Sequence, residues 1–290
     1  MTGPETALTG LETALTALVA AQDAEVSIAF VDLGTGAVLE LDARKRMHAA
    51  STMKLPVLIA AHRLAHEGAL RLSQPVLVAN QFRSLADGSF FSTDPRHDDD
   101  GWTYAQLGKR VPLSKLLERM IVRSGNLATN LLLELVPAQV VTGACRALGA
   151  LDLEVLRGVE DERAHALGLD NTATAHDLAV LLAAVARSAQ EPAGTLSVGY
   201  PVDTRVAGAA DILALLRLQE LNDGIPAGLP PGTLVAHKTG SITAHSHDAA
   251  LVFPEGRAPY VLVVLTRGFA SEQVATALLR DVSRTVFAHR

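Results

Sequence analysis

A serine and a lysine stand three residues apart in Ala50-Ser51-Thr52-Met53-Lys54-Leu55-Pro56, where an apolar helical run begins. Side chains at i and i+3 share a helix face, so this hydroxyl and amine would point the same way, one turn apart. A serine hydroxyl is a weak nucleophile until something takes its proton. A lysine desolvated enough to be neutral part of the time can take it. Free amides and the macrodipole at a helix start also favour developing negative charge there. Taken alone, the same four residues describe an N-cap serine and an ordinary first-turn lysine. Nucleophilic chemistry needs further partners, and two stretches offer them: Ser124-Gly125-Asn126 and Lys238-Thr239-Gly240.

The elements that must position these groups follow from periodicity. Leu8, Leu11, Leu15, Leu18 and Val19 recur at helical spacing between Glu5 and Ala21, which predicts an amphipathic helix. Residues 25–33 and 37–41 alternate around Gly34-Thr35-Gly36 and predict a β-hairpin. The helix that starts near Ser51 runs past His62, with Gly68 as its C-cap. Residues 79–110 are polar and include Asp98-Asp99-Asp100, which predicts a long surface excursion with a solvated acidic triplet. Helices are expected at 113–122, 127–136, 138–149, 175–186 and 209–221. Thr174 and Asp177 form a variant capping box for the fourth of them. The Ser-Gly-Asn motif then falls on a loop between helices. Period two returns at 233–238, 248–253 and 260–265, three strands, with Lys-Thr-Gly at the end of the first, and a last helix covers 271–288.

Strands at both chain ends imply one sheet assembled from both. The expected fold is α/β (α+β): a five-stranded antiparallel sheet flanked by helices, with an inserted helical lobe. The sheet lobe would comprise residues 1–66 plus 207–290 and the helical lobe 67–206, with the site in the cleft between them.

Composition narrows the function. The 290 residues are 49% hydrophobic and only 4% aromatic, with a net charge of −6. There is no dense basic block, which argues against nucleic-acid binding. No apolar run reaches the roughly 18 residues of a membrane span. Cys145 is the single cysteine, in an apolar helical context that marks it as core filler. The ten histidines show no metal-binding spacing such as H-E-x-x-H, so neither a metal nor another cofactor is expected. The start of the sequence lacks the pattern of a secretory leader, so a cytoplasmic location is expected, and a periplasmic or secreted one if a leader was trimmed.

With the three motifs in this order and these settings, the sequence resembles the penicillin-recognising serine hydrolases, most closely the class A β-lactamases. The resemblance covers nearly the whole chain, including Ser124-Gly125-Asn126-Leu127-Ala128-Thr129-Asn130-Leu131-Leu132. It implies that Ser51 is the nucleophile, acylated by the carbonyl of a β-lactam or related small amide or ester, with Lys54 as its base. Ser124 would relay a proton to the leaving nitrogen, helped by Lys238. Asn126 would bond the substrate's side-chain amide, and Lys238 with Thr239 its carboxylate. The amides of Ser51 and Ser241 would form the oxyanion hole, with Gly240 allowing close backbone approach. Glu160, 36 residues after Ser124 (160 − 124), matches the family's deacylating base, with Asp161 and Glu162 as alternative carboxylates.

The sequence departs from that family at two places. Ala164 stands where an asparagine helps hold the hydrolytic water, and Gly125 replaces an aspartate whose loop-ordering contacts are expected to be missing. His245 and His247 could touch substrate, but turn and strand roles are preferred; His237 is turned to the opposite face of its strand. The function so implied is a serine hydrolase working through an acyl-enzyme, most directly β-lactam hydrolysis. The alternatives are an esterase, a peptidase or a slow-turnover penicillin-binding homologue, and a non-catalytic acyl-trapping sensor.

Overall fold

A computed structural model describes residues 4–189 and 205–290. Residues 190–204 of the expected helical lobe lie outside the described residues. In chain order, α1 (Pro4–Ala20) leads into the hairpin β1 (Glu25–Asp32) and β2 (Val38–Leu41), then the short β3 (Met47–His48). A 3₁₀ turn, Ala50–Met53, opens α2 (Lys54–His66). The excursion carries β4 (Pro75–Leu77), β5 (Phe82–Arg83), β6 (Phe90–Phe91), α3 (Gly101–Tyr104) and β7 (Arg110–Pro112). There follow α4 (Leu113–Val122), α5 (Asn126–Leu133), α6 (Ala138–Ala147), α7 (Glu162–Ala166), β8 (Thr172–Ala173), α8 (Ala175–Ala189) and α9 (Ala209–Arg217). The chain closes with β9 (Leu234–Ile242), β10 (His245–Phe253), β11 (Tyr260–Arg267) and α10 (Glu272–Ala288).

The main sheet has the order β2-β1-β11-β10-β9 and every neighbour is antiparallel. Both chain ends therefore build it, as the strand periodicity implied. Alternation divides its side chains between two cores. Val26, Ile28, Phe30, Leu262 and Val264 face Leu11 and Leu15 of α1 and Leu278, Val282 and Val286 of α10. Ala29, Val31, Val261, Val263 and Leu265 face the other way, into the large core shared with the helices. The central β11 is buried from Tyr260 to Thr266, which is why it reads as one apolar run.

Two helices tie the layers together. α8 lies on β1, β10 and β11 and also packs on α9; it is buried from Ala175 to Ala186, and its alanines permit close approach to the sheet. α2 packs against α4, α5, α6 and α9, with Leu55, Val57, Leu58, Ala60 and Ala61 all inaccessible to solvent. α2 is thus a rigid post that carries Lys54 at its base.

Three local expectations change. Ser51 lies in a 3₁₀ turn rather than in the α-helix itself; residues i and i+3 eclipse in that geometry, so its alignment with Lys54 survives. β9 runs on to Ile242, so Lys238-Thr239-Gly240 sits inside the strand and not at its end, with Ser241 opposite Ser246. The Thr174 hydroxyl caps the Asp177 amide at 3.0 Å, but the Asp177 carboxylate accepts from the amides of Asp152 and Leu153 and so serves the preceding loop. Gly68 takes φ 76° at the end of α2, as a C-cap glycine should. Cys145 is fully buried and its thiol is pushed up to about 12 by desolvation. No single helix among the described residues is long and apolar enough to cross a membrane.

Candidate active site

The three motifs meet. Lys54, fully buried, donates from Nζ to the Ser124 carbonyl oxygen at 2.5 Å and to Asn126 Oδ1 at 2.8 Å, and lies 3.3 Å from Ser124 Oγ. Lys238, also fully buried, donates to the same Ser124 Oγ at 3.0 Å and to the Thr239 carbonyl at 2.8 Å. Ser124 Oγ is therefore bracketed by two lysine nitrogens. Ser51, Ser124, Asn126, Thr239, Gly240 and Ser241 line one cavity of about 590 Å³. A Cβ on Gly240 would come within 3.0 Å of the amides of Ser51 and Thr52. Only glycine lets this strand lie against the start of the Ser51 turn.

Burial sets the electrostatics. Desolvation lowers Lys54 to about 8, against the raising effect of Asp98 and Glu160. Desolvation, then the charge of Lys54, holds Lys238 well below the usual lysine range. As an ammonium, Lys54 donates to three acceptors. As an amine it donates to two and accepts from Ser124 Oγ, whose own oxygen takes the Lys238 proton donor. In either state Lys54 keeps its bonds to the Ser124 carbonyl and to Asn126.

Glu160 sits apart from the cavity wall and reaches it through Asn126. Its Oε1 accepts from Asn126 Nδ2 at 2.8 Å and its Oε2 from the Asp94 amide at 2.7 Å. Desolvation raises its pKa, with those two bonds opposing. The other carboxylates of this loop have different work. Asp161 is buried, accepts from Ser84 Oγ at 2.7 Å and from the Leu85 amide at 2.8 Å, and caps α7 through the Ala164 amide. Glu162 is exposed at the start of α7. Ala164 is fully buried and brings no polar side chain.

Backbone strain concentrates here. Five non-glycine residues among those described have positive φ, and three of them are Ala50 (46°), Ser124 (54°) and Glu160 (65°). Each costs about 1–2 kcal/mol, so the surrounding structure must hold them. Asn130 does this for Glu160: its side-chain amide donates to the Val159 carbonyl at 2.9 Å and accepts from the Val159 amide at 2.7 Å.

Of the acidic triplet only Asp99 is exposed as expected; Asp98 and Asp100 are not solvated surface residues. Asp98 Oδ2 accepts from the amides of Asn126 and Leu127 at 2.8 and 3.0 Å, satisfying free donors at the start of α5. Asp100 is fully buried, accepts from Arg119 Nη2 at 2.6 Å and Nε at 2.8 Å, and bonds Thr103. It also occupies the place of the missing side chain at 125: a Cβ on Gly125 would lie 2.9 Å from Asp100 Oδ2. The expectation that the loop lacks an ordering carboxylate is thereby corrected; the excursion supplies it. Gly125→Asp is expected to cost about 3 kcal/mol, through overpacking and like charge, and Asp100→Gly about 2–3 kcal/mol by leaving part-buried Arg119 without its carboxylate. The double variant should recover most of either loss in urea unfolding. Additive losses would show that the two sites do not share one carboxylate position.

Sequence reasoning also missed other walls of the cavity. His97 and Asp99 come from the excursion, and Glu272, Gln273, Thr276 and Arg280 from α10. Glu272 accepts from Ser241 Oγ at 2.6 Å. No local pattern marks these residues, because the cavity only exists once α10 lies beside β9 and β10.

The histidines are mainly structural. His247 is buried and its pKa is lowered to about 4 by desolvation; it accepts from the Thr266 amide and donates to the His48 carbonyl, tying the sheet to the segment before Ser51. Its ring also meets the cavity. His245 bonds the Thr243 carbonyl in its turn. His237 packs against Asp248 at 2.9 Å and Asn222 at 3.1 Å. His48, His165 and Asp170 do gather ligand-type atoms within 4.8 Å of one another. The Arg157 guanidinium, however, holds Asp170 at 2.8 Å and lies 3.4 Å from His48 Nε2. His48 Nδ1 already accepts from the Ala50 amide, so that nitrogen has no lone pair left for a metal. This is an ion-paired network and not a ligand shell.

The family described as Beta-lactamase enzyme family matches residues 10–290. Among solved structures, the chain is similar to PBP-A at 24% identity and TM-score 0.78, covering 97% of this chain and 96% of that one. A variant of PBP-A with the same identity and TM-score, covering the same 97% and 96%, is an acyl-enzyme complex with penicillin G. The β-lactamase from Sphaerobacter thermophilus is 23% identical with TM-score 0.77, covering 97% of each chain. An ancestral class A β-lactamase is likewise 23% identical with TM-score 0.77, covering 97% of this chain and all of that one. No curated protein matches the chain.

Proposed function

The chain belongs to the beta-lactamase enzyme family, and from that premise we propose that it hydrolyses the amide of a β-lactam ring through an acyl-enzyme on Ser51. The observation that carries this reading is Ser124 Oγ held between Lys54 and Lys238, in the cavity that Ser51 and Gly240 share. Ser51 attacks the lactam carbonyl as Lys54 takes its proton. The oxyanion is met by the amides of Ser51 and Ser241, beside the close approach at Gly240. The ring nitrogen leaves with a proton from Ser124, which Lys54 and Lys238 replenish. Asn126, Thr239 and Lys238 hold the substrate. Glu160 activates the water that releases Ser51.

The test is to mix the protein with a chromogenic cephalosporin and follow product and protein mass together. Sustained turnover supports hydrolysis. A single stoichiometric burst with a persistent adduct supports a second reading, a slow-turnover penicillin-binding protein or trap. That reading is favoured by Ala164, which offers no hydrogen bond beside Glu160. Cleavage of simple esters without reaction at the lactam would sink both.

The proton route has its own signature. Lys54 takes a proton only when neutral, and its pKa sits near 8. The single-turnover acylation rate should therefore rise with pH through about 8. A rate already level from pH 6 to 9 would assign acylation to Glu160 acting through water instead.

A further inference from the structure

Ala50, the residue before Ser51, has a left-handed backbone with φ 46°. An alanine at that angle is strained and relaxes toward negative φ unless its peptide is held. Its amide donates to Nδ1 of His48, two residues earlier, at 3.0 Å.

His48 is itself braced. Its carbonyl accepts from His247 Nε2 at 2.9 Å, and it pairs with Thr172 where β3 meets β8. The next amide, of Ala49, donates to the Asn171 carbonyl at 2.8 Å. On the far edge of the ring, Nε2 lies 3.4 Å from Arg157 Nη2 and 3.6 Å from Asp170 Oδ1. Desolvation lowers the pKa of His48 to about 4; Asp170 opposes this, and Arg157, His245 and His165 add to it. Near neutral pH the ring is therefore uncharged, and Nδ1 keeps the lone pair that the bond from Ala50 needs.

The backbone angles of Ala50 decide where the next amide, that of Ser51, points. The turn has no slack on its other side: a Cβ on Gly240 would lie 3.0 Å from the Ser51 nitrogen and 3.2 Å from the Ala50 Cβ. In the hydrolase reading above, on which this inference rests, the Ser51 amide meets the oxyanion and the Ser51 hydroxyl attacks. We propose that His48 is a positioning residue for Ser51: its Nδ1 holds the Ala50 amide and so fixes the left-handed turn that aims the Ser51 amide and hydroxyl into the cavity.

Two replacements separate this role from the ring's place beside Arg157 and Asp170. In His48→Asn the side-chain oxygen falls where Nδ1 stands, so an acceptor for Ala50 remains. In His48→Gln the amide falls where Nε2 stands, and in His48→Leu there is no acceptor. Each full-length variant, shown by urea unfolding to be folded under the assay conditions, is read in two ways. One is the exchange of the Ala50 amide in heavy water, followed by nitrogen-15 nuclear magnetic resonance. The other is the burst rate of acylation by a chromogenic cephalosporin. His48→Asn is expected to keep the slow exchange and the burst rate of the unaltered protein. His48→Gln and His48→Leu should exchange Ala50 rapidly and acylate about 10²-fold more slowly, the usual loss when a reacting group or an oxyanion donor is misplaced. An asparagine variant as slow as the leucine one, a glutamine variant as fast as the unaltered protein, or an Ala50 amide still protected in His48→Leu would each overturn the proposal. An unaltered protein that forms no acyl-enzyme would sink the hydrolase reading instead, and Ala50 exchange would still decide whether His48 holds the turn.

Discussion

Ser51→Ala is expected to lower turnover of a chromogenic cephalosporin by about 10⁶-fold, with no protein adduct at any time. Removing a catalytic serine typically costs that much, because the remaining machinery has no nucleophile to act on. The substitution removes one oxygen from a half-buried side chain and leaves both lysines with their partners: Ser124 and Asn126 hold Lys54, and Ser124 and Thr239 hold Lys238. The contact between Gly240 and the Ser51 turn is made by backbone and is unaffected. Stability should stay within about 0.5 kcal/mol, so lost turnover cannot be blamed on unfolding. Turnover above a hundredth of the starting rate would mean that another group attacks the carbonyl.

Much of this site was legible in the chain, for a physical reason. Ser51 and Lys54 are tied by helical spacing, and Lys238 and Gly240 by strand geometry, so their relation is local. Relations that arise only on packing were not legible. Asp98-Asp99-Asp100 has the composition of a solvated run, yet Asp100 is inaccessible because Arg119 pairs with it and Gly125 leaves the space. A missing aspartate and a distant extra one are a single event in the fold but two unrelated facts in the sequence. The continuation of β9 past Lys238 was likewise hidden. Its last residues lack apolar alternation because Thr239, Gly240 and Ser241 border the cavity and not a core. The sheet, by contrast, followed directly from the period-two segments at both chain ends, since alternate residues must serve opposite faces.

The register of the 160–162 carboxylates was open by spacing alone and is distinguished by hydrogen bonding. Asp161 spends both oxygens on Ser84, Leu85 and the α7 cap. Glu162 begins a helix in solvent. Glu160 alone bonds to a residue of the cavity wall, Asn126. It does so in a left-handed conformation that Asn130 stabilises from the neighbouring residue. Strain kept at such a place, at the expense of stability, fits a side chain whose direction matters more than its backbone comfort.

Glu160→Ala is accordingly expected to separate the two halves of the reaction. On the proposed mechanism acylation proceeds from Ser51 and Lys54, and the contacts of Lys54 with Ser124 do not involve Glu160. The burst should therefore retain its amplitude and most of its rate. Deacylation loses its general base and should slow by about 10²–10⁴-fold, so that the acyl adduct persists in the protein mass spectrum long after the burst. Folding is controlled with Glu160→Gly, which relieves the positive φ. It should deacylate as slowly as the alanine variant and unfold at an equal or higher urea concentration, since glycine adopts this conformation without the roughly 1 kcal/mol penalty. Normal turnover in either variant would remove Glu160 from the mechanism. An equal fall in burst and release would place it in acylation as well, through a water shared with Ser51. Because Ala164 brings no side-chain hydrogen bond to this loop, the proposed release step would rest on Glu160, which Asn126 and the Asp94 amide hold. Asn126→Ala should then slow release as well as weaken substrate binding, whereas a purely substrate-binding role would leave the release rate unchanged.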